Sequence, residues 1–321
     1  MNICVIGCGR WGSLITWYLA EKKALDVTLY GRESSGTMKR FIAERKNDLL
    51  TLPESVRLTT DISAVKDANV IIISIGSQGL SALMDELRPL GLKYKTFVLC
   101  MKGIEIATGR RLSEVVADST DRSNKVAVWL GPGHVQEFYA GIPNCMVIDS
   151  ADEDVKHTLV DAFSSDLIRF YYGEDLLGNE IGAAAKNVIG IAAGMLDGRG
   201  LSTLKGALMS RGTREVARLI AKMGGNELSA YGLCHLGDYE ATVFSKFSHN
   251  RAYGEAIVRG ESFEKLAEGH YTAKAIVALA IKYGVDMPIC RCVYSIIYEG
   301  KNADLALEEL FGRSIKSEFY R

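Results

Sequence analysis

Residues 1–20 read MNICVIGCGRWGSLITWYLA, and this stretch decides the fold. Ile3 to Ile6 form a short apolar run of the kind found in buried strands. The chain then places glycines at 7, 9 and 12 before an apolar-periodic segment, Trp11 to Glu21, that reads as a helix. Glycines at the first, third and sixth positions of a strand-to-helix turn have separate tasks. The first makes the turn, the second lets backbone approach a pyrophosphate, and the third lets helix pack on strand. The helix start then offers free amides and a positive dipole end to an anion. The stretch therefore predicts a dinucleotide-binding turn, against the plainer alternative of a glycine-rich loop.

Working outward, the first half alternates between strand-like and helical runs. Strand-like runs fall at Val27–Leu29, Val56–Leu58, Val70–Ile73, Phe97–Cys100, Val126–Leu130, Cys145–Ile148 and Ile168–Tyr171. Helical patterns fall near 34–47, 78–87, 111–118, 135–140 and 154–163. Runs such as VIII suit parallel strands buried on both faces. The pattern predicts an N-terminal Rossmann-like, doubly wound α/β domain over 1–178. From GNEIGAAAKNVIGIAAGMLDG onward the chain reads as helices joined by short connections, which predicts an all-α substrate domain over 179–321. No Pro/Ser linker, internal repeat or low-complexity tract interrupts it.

Composition limits the function classes. The 321 residues are 48% hydrophobic and 24% charged, enough to bury two cores. A net charge of -1 argues against a nucleic-acid or membrane-surface binder while leaving room for a local basic pocket. Seven cysteines, with no CxxC, read as free thiols of a reducing, cytoplasmic protein with no metal site. The start of the chain lacks the basic n-region of a signal peptide.

Four stretches carry candidate chemistry. In EIGAAAKNVIGIAAGMLDG a lysine, Lys186, sits with Asn187 in an otherwise Ala/Gly/Ile helix. Burial there must give the lysine partners or take its charge, which marks a candidate acid-base group against the alternative of a structural ion pair. Lys102 opens KGIE directly after the strand run FVLC, at the strand end where ligands of open parallel sheets bind. Gly131 and Gly133 in LGPGHVQEF follow another strand and allow close backbone approach. Asp238 follows a Leu-Gly turn, and Ser248-His249-Asn250-Arg251 opens a helix with groups suited to a phosphate. Helix capping is the competing explanation for Asp238 and Ser248.

In this order GxGxWG, KGIE, GPxH, KNVIGIAAG, the SRG of 210–212, LGD, SxNR, and EG followed by TAK from Glu268 to Lys274 resemble the bacterial-type NAD(P)-dependent glycerol-3-phosphate dehydrogenases. MPI and YEGK extend the resemblance to nearly the whole chain. It implies reversible, NAD(P)H-dependent reduction of dihydroxyacetone phosphate to sn-glycerol 3-phosphate, feeding phospholipid synthesis. It also implies a cytoplasmic homodimer. Carried over by motif, the catalytic set is Lys186, Lys102 and Asp238. The substrate set adds Ser248, His249 and Asn250, and the residues themselves add Gly131 and Arg251. The cofactor set is Gly7, Gly9, Arg10, Trp11, Gly12, Arg32, Lys102, Gly133, His249 and Glu268. Arg10, Gly133 and His249 depart from the family pattern, which has a small residue, a serine and an arginine there; Arg251 is expected to compensate in part for His249. Arg32, ending the second strand, points to NADPH over NADH, because a guanidinium suits a 2′-phosphate. Two rival readings stand beside this one: a dehydrogenase of another polar ketone or 2-hydroxy acid, and a nucleotide-sensing protein without turnover.

Overall fold

The computed structural model describes residues 1–315, 317 and 318. Contacts divide the chain into two units: Met1–Met101 with Arg111–Leu176, and Lys102–Arg110 with the chain from Leu177 onward. The division expected at 178/179 thus falls at 176/177, and the KGIE segment goes with the helical unit instead of the first. Its Ile104 explains why: this side chain is buried in the apolar core of the helices.

The first unit is built on one eight-stranded sheet. In chain order the strands are β1 (Asn2–Ile6), β2 (Asp26–Tyr30), β3 (Arg57–Thr59), β4 (Val70–Ile73), β5 (Thr96–Leu99), β6 (Lys125–Leu130), β7 (Asn144–Ser150) and β8 (Ile168–Tyr172). Their spatial order is 3-2-1-4-5-6-7-8. The first six are parallel, in the doubly wound order that reverses between β1 and β4. β7 runs antiparallel to β6, and β8 parallel to β7. All four residues of β4 are buried, as its unbroken VIII run requires.

Around the sheet lie α1 (Arg10–Trp17), α2 (Gly36–Glu44), α3 (Leu80–Leu87), α4 (Leu112–Ser119), α5 (Val135–Tyr139) and α6 (Glu153–Phe163). α1 does not run unbroken to Glu21. It widens into a π-turn over Tyr18–Lys22. Local chemistry sets other ends. Ser35 and Asp152 cap α2 and α6 by accepting from backbone N–H groups, and Arg45, in the left-handed region at φ +55°, stops α2.

The second unit holds α7 (Leu176–Gly198), α8 (Lys205–Lys222), α9 (His249–Arg259), α10 (Glu268–Tyr283), α11 (Pro288–Tyr298) and α12 (Ala303–Phe311). α7 is buried from Gly178 to Leu196, as a helix apolar on all sides must be. Gly190, Gly194 and Gly198 form a stripe along it that faces α9. A Cβ on Gly194 would lie 1.8 Å from the Arg251 carbonyl oxygen, and one on Gly254 of α9 would lie 2.0 Å from that of Ile191. The two helices therefore touch backbone to backbone. Among the described residues, no helix is long and apolar enough to cross a membrane.

Candidate active site

In the first unit, the three glycines of the turn between β1 and α1 differ in their surroundings. Gly7 has φ +111°, and a Cβ there would strike the Ser74 carbonyl oxygen at 2.2 Å. A Cβ on Gly12 would strike the Gly7 carbonyl at 1.9 Å, so helix and turn meet without a side chain between them. Gly9 differs from both, since a Cβ there meets nothing within 4 Å. It caps α1 without any side-chain hydrogen bond to the helix amides, at the end of the helix that favours an anion. Beside the turn, Trp11 packs on Phe138 at 5.9 Å, and its buried Nε1–H has no hydrogen-bond partner. Open space over Gly9, a helix start without a side-chain cap and an orphaned buried donor fit a dinucleotide. Arg10 reaches Gln136 Oε1 at 3.3 Å.

The strand ends beside this turn are more varied. Arg32 is exposed after β2 and makes no ion pair with a described residue, nor does its neighbour Glu33. Ser35 is committed to capping α2 and lies 3.3 Å from Cys8 Sγ. Gly131 and Gly133 need glycine for a reason other than ligand approach. Their φ angles are +133° and +128°, and their Cβ positions are taken by Met146 Cα at 2.9 Å and the Phe138 ring at 2.3 Å. A serine at 133 would be strained and would displace that ring.

The second unit gathers the titratable cluster. Asp238, 1% exposed, accepts from two ammonium groups on one oxygen: Lys102 Nζ at 2.6 Å and Lys186 Nζ at 2.8 Å. Lys186 Nζ also donates to Thr242 Oγ1 at 2.6 Å. Burial is the main force on Lys186; Asp238 opposes it and the Lys102 charge adds to it, and together they leave the pKa lowered to about 8. The ammonium is thus held in place yet ready to release its proton near neutral pH.

A second chain of contacts fixes the backbone around Lys102. Asn187 Nδ2 donates to the Lys102 carbonyl at 3.0 Å, Asn250 Nδ2 donates to Asn187 Oδ1 at 3.0 Å, and Gly269 N donates to Asn250 Oδ1 at 2.9 Å. Asn250 is therefore engaged within the protein at both ends of its amide. Ser248 caps α9 and accepts from Arg251 N at 3.2 Å. Its hydroxyl proton is not used in that bond. His249 Nδ1 donates to the Leu266 carbonyl at 3.1 Å. Glu268 starts α10 next to Gly269, half-buried.

Arg251 does not serve as a spare phosphate cation. Its Nη1 pairs with Asp197 Oδ2 at 2.8 Å and Glu255 Oε2 at 3.3 Å, while its Nε donates to the Ser245 carbonyl at 3.2 Å. Lys205 shares Asp197 at 2.6 Å. The sequence reading missed Thr242, whose spacing of four from Asp238 puts both on one face of a helical turn. It also passed over His235 and Tyr239, which flank Asp238 inside the core.

Residues 2–156 match the model of the NAD-dependent glycerol-3-phosphate dehydrogenase N-terminus, and residues 175–308 match that of its C-terminus. A glycerol-3-phosphate dehydrogenase (NAD(P)+) of Chlorobium limicola is 33% identical over 335 residues, covering 100% of both chains. One of an Exiguobacterium species is 36% identical, covering 99% of this chain and 97% of its own. Among solved structures, glycerol-3-phosphate dehydrogenase of Coxiella burnetii superposes with a TM-score of 0.90 at 28% identity, over 97% of this chain and 99% of that one.

Proposed function

The chain belongs to the NAD-dependent glycerol-3-phosphate dehydrogenase family, and from that premise we propose that Lys186 is its proton-transfer group, with Asp238 and Lys102 as its electrostatic partners. The reaction is the NAD(P)-linked interconversion of dihydroxyacetone phosphate and glycerol 3-phosphate. When bound, the nicotinamide supplies the hydride. The turn at Gly7, Gly9 and Gly12, with Trp11 beside it, holds the dinucleotide, and Arg32 favours a 2′-phosphate.

Reduction of the ketone puts negative charge on its oxygen. Lys186 Nζ donates the proton that quenches this charge, and Lys102 stabilises the charge as it develops. Asp238 keeps both ammonium groups in place and prevents their mutual repulsion from emptying the site. Asn187 and Asn250 act as positioning residues for the Lys102 backbone. With Arg251 committed to Asp197, the phosphate falls to Ser248, His249 and the amides that start α9. One observation carries this reading: a buried carboxylate bridging two lysines, one of them with its pKa lowered to about 8. A homodimer and cytoplasmic residence belong to the same proposal. The seven free thiols favour the latter.

The test follows NADPH absorbance with dihydroxyacetone phosphate. Lys186→Ala is expected to lower kcat by about 10²–10⁴-fold while folding and NADPH binding persist. A folded variant that turns over as fast as wild type removes Lys186 from the role.

A further inference from the structure

We infer that His235 and Tyr239 are positioning residues for proton transfer, joined in a directed hydrogen-bond chain that clamps the turn carrying Asp238 onto the helix carrying Lys186. The inference rests on the reading of Lys186 and Asp238 given above. Its chemistry starts at a carbonyl. His235 Nδ1 lies 2.8 Å from the Gly182 carbonyl oxygen, which can only accept, so Nδ1 carries the hydrogen. His235 Nε2 must then accept, and Tyr239 donates its hydroxyl to it at 2.7 Å. Behind it, Thr213 Oγ1 lies 3.4 Å from the Tyr239 oxygen and supplies a further donor. The direction Thr213 to Tyr239 to His235 to Gly182 is thereby fixed from end to end.

All the side chains in this chain are buried, at 0–1% exposure. Burial also pushes the His235 pKa down to about 4, so the ring stays neutral and keeps this tautomer at working pH. The titratable groups facing the ring are Lys186 and Asp238, and those facing Tyr239 are Cys290 from α11, a neutral buried thiol, and Glu215 from α8.

The placement is what gives the chain its consequence. Gly182 stands one helical turn before Lys186, and its carbonyl is the one that receives the Lys186 backbone N–H in α7. Asp238 lies between His235 and Tyr239, with its own N–H donated to the His235 carbonyl at 3.1 Å. Position 182 has no side chain, and a Cβ there would come within 3.1 Å of His235 Cβ, so the ring's attachment to α7 is close. The imidazole thus joins the helix turn before Lys186 at Nδ1 and, through the Tyr239 hydroxyl, the turn that carries Asp238 at Nε2.

Three variants test this with kcat, KM for NADPH, Tm and the pH profile of kcat/KM. Tyr239→Phe keeps the ring and removes only the donor to Nε2. It is expected to lower kcat about 10- to 100-fold, the scale of a small misplacement of a reacting group, with KM for NADPH unchanged. The break in the pH profile near 8 should move down, because Lys186 loses part of its attraction to Asp238. His235→Ala should do the same, and His235→Asn, whose amide still donates to Gly182, should recover part of the loss. A Tyr239→Phe protein with lowered Tm but wild-type kcat and an unmoved break overturns the inference and leaves the pair as core packing. Failure of the underlying reading looks different, since Lys186→Ala would then stay active whatever happens at 235 and 239.

Discussion

A lysine inside a protein is costly unless something answers its charge. Lys186 has two answers, Asp238 at 2.8 Å and Thr242 at 2.6 Å, and burial still draws its pKa to about 8. The sign of the resulting pH dependence follows from the proton's direction. Ketone reduction consumes a proton from the ammonium, so kcat/KM for dihydroxyacetone phosphate should be flat below about 8 and fall about tenfold per pH unit above it. Oxidation of glycerol 3-phosphate needs the neutral amine and should rise through the same break. Stopped-rate assays in both directions across pH 6–10 check this; parallel profiles in the two directions would rule out a shared lysine. At this scale the sequence was partly legible. Lys186 stood out because nothing around it was polar except Asn187. Arg251 was misread because its partner, Asp197, ends a different helix and no spacing rule connects the two. Thr242 went unnoticed because its spacing of four from Asp238 is informative only once the segment between them is helical.

Helices α7 and α9 show how backbone contact becomes site geometry. The glycine stripe of α7 admits the α9 backbone, and a Cβ on Gly190 would lie 2.6 Å from Thr242 Cγ2 and 3.3 Å from Asn250 Cβ. The same stripe that lets α9 close in therefore sets Thr242 beside Lys186 and Asn250 beside Asn187. Gly194→Ala should force the helices apart, since backbone lies on both sides of the contact. The expected loss is about 3 kcal/mol, at the upper end for overpacking, read from the denaturant midpoint, with kcat reduced in the fraction that stays folded. Gly206→Ala in α8, where a Cβ meets nothing within 4 Å, should stabilise by about 0.4–1 kcal/mol. Equal effects of the two substitutions would mean that helix propensity, not close packing, explains the glycines. Element types were readable from period and composition, and α7 was found within a few residues of its ends. The reversal at β7 was not readable, because a run such as CMVI is the same pattern in either direction. Nor was the π-turn at Glu240–Phe244 that brings Thr242 round, since five residues are too few to show a period.

The whole chain carries a net charge of -1, yet its ligands are anions, so attraction must come from local placement and not from the protein's overall field. Arg32 is the instance that separates one cofactor from the other. It is exposed, has no ion pair with a described residue to break, and follows the strand whose end reads the adenosine ribose in this fold. Glu33 beside it would repel a 2′-phosphate if it faced one, so a preference for NADPH requires the guanidinium to dominate. Any ligand that binds the folded state alone raises the stability of the whole molecule by RT ln(1 + [L]/Kd), which turns cofactor choice into a melting measurement. NADPH should raise Tm more than NADH at equal concentration. Losing one charge-assisted contact removes about 1.5–3 kcal/mol, or roughly 10- to 150-fold in affinity. Arg32→Ala should therefore bring the NADPH shift down to or below the NADH shift and leave the NADH shift nearly unchanged. If both shifts shrink together, Arg32 holds the adenine common to the two cofactors, and the 2′-phosphate must find its partner elsewhere on the strand ends.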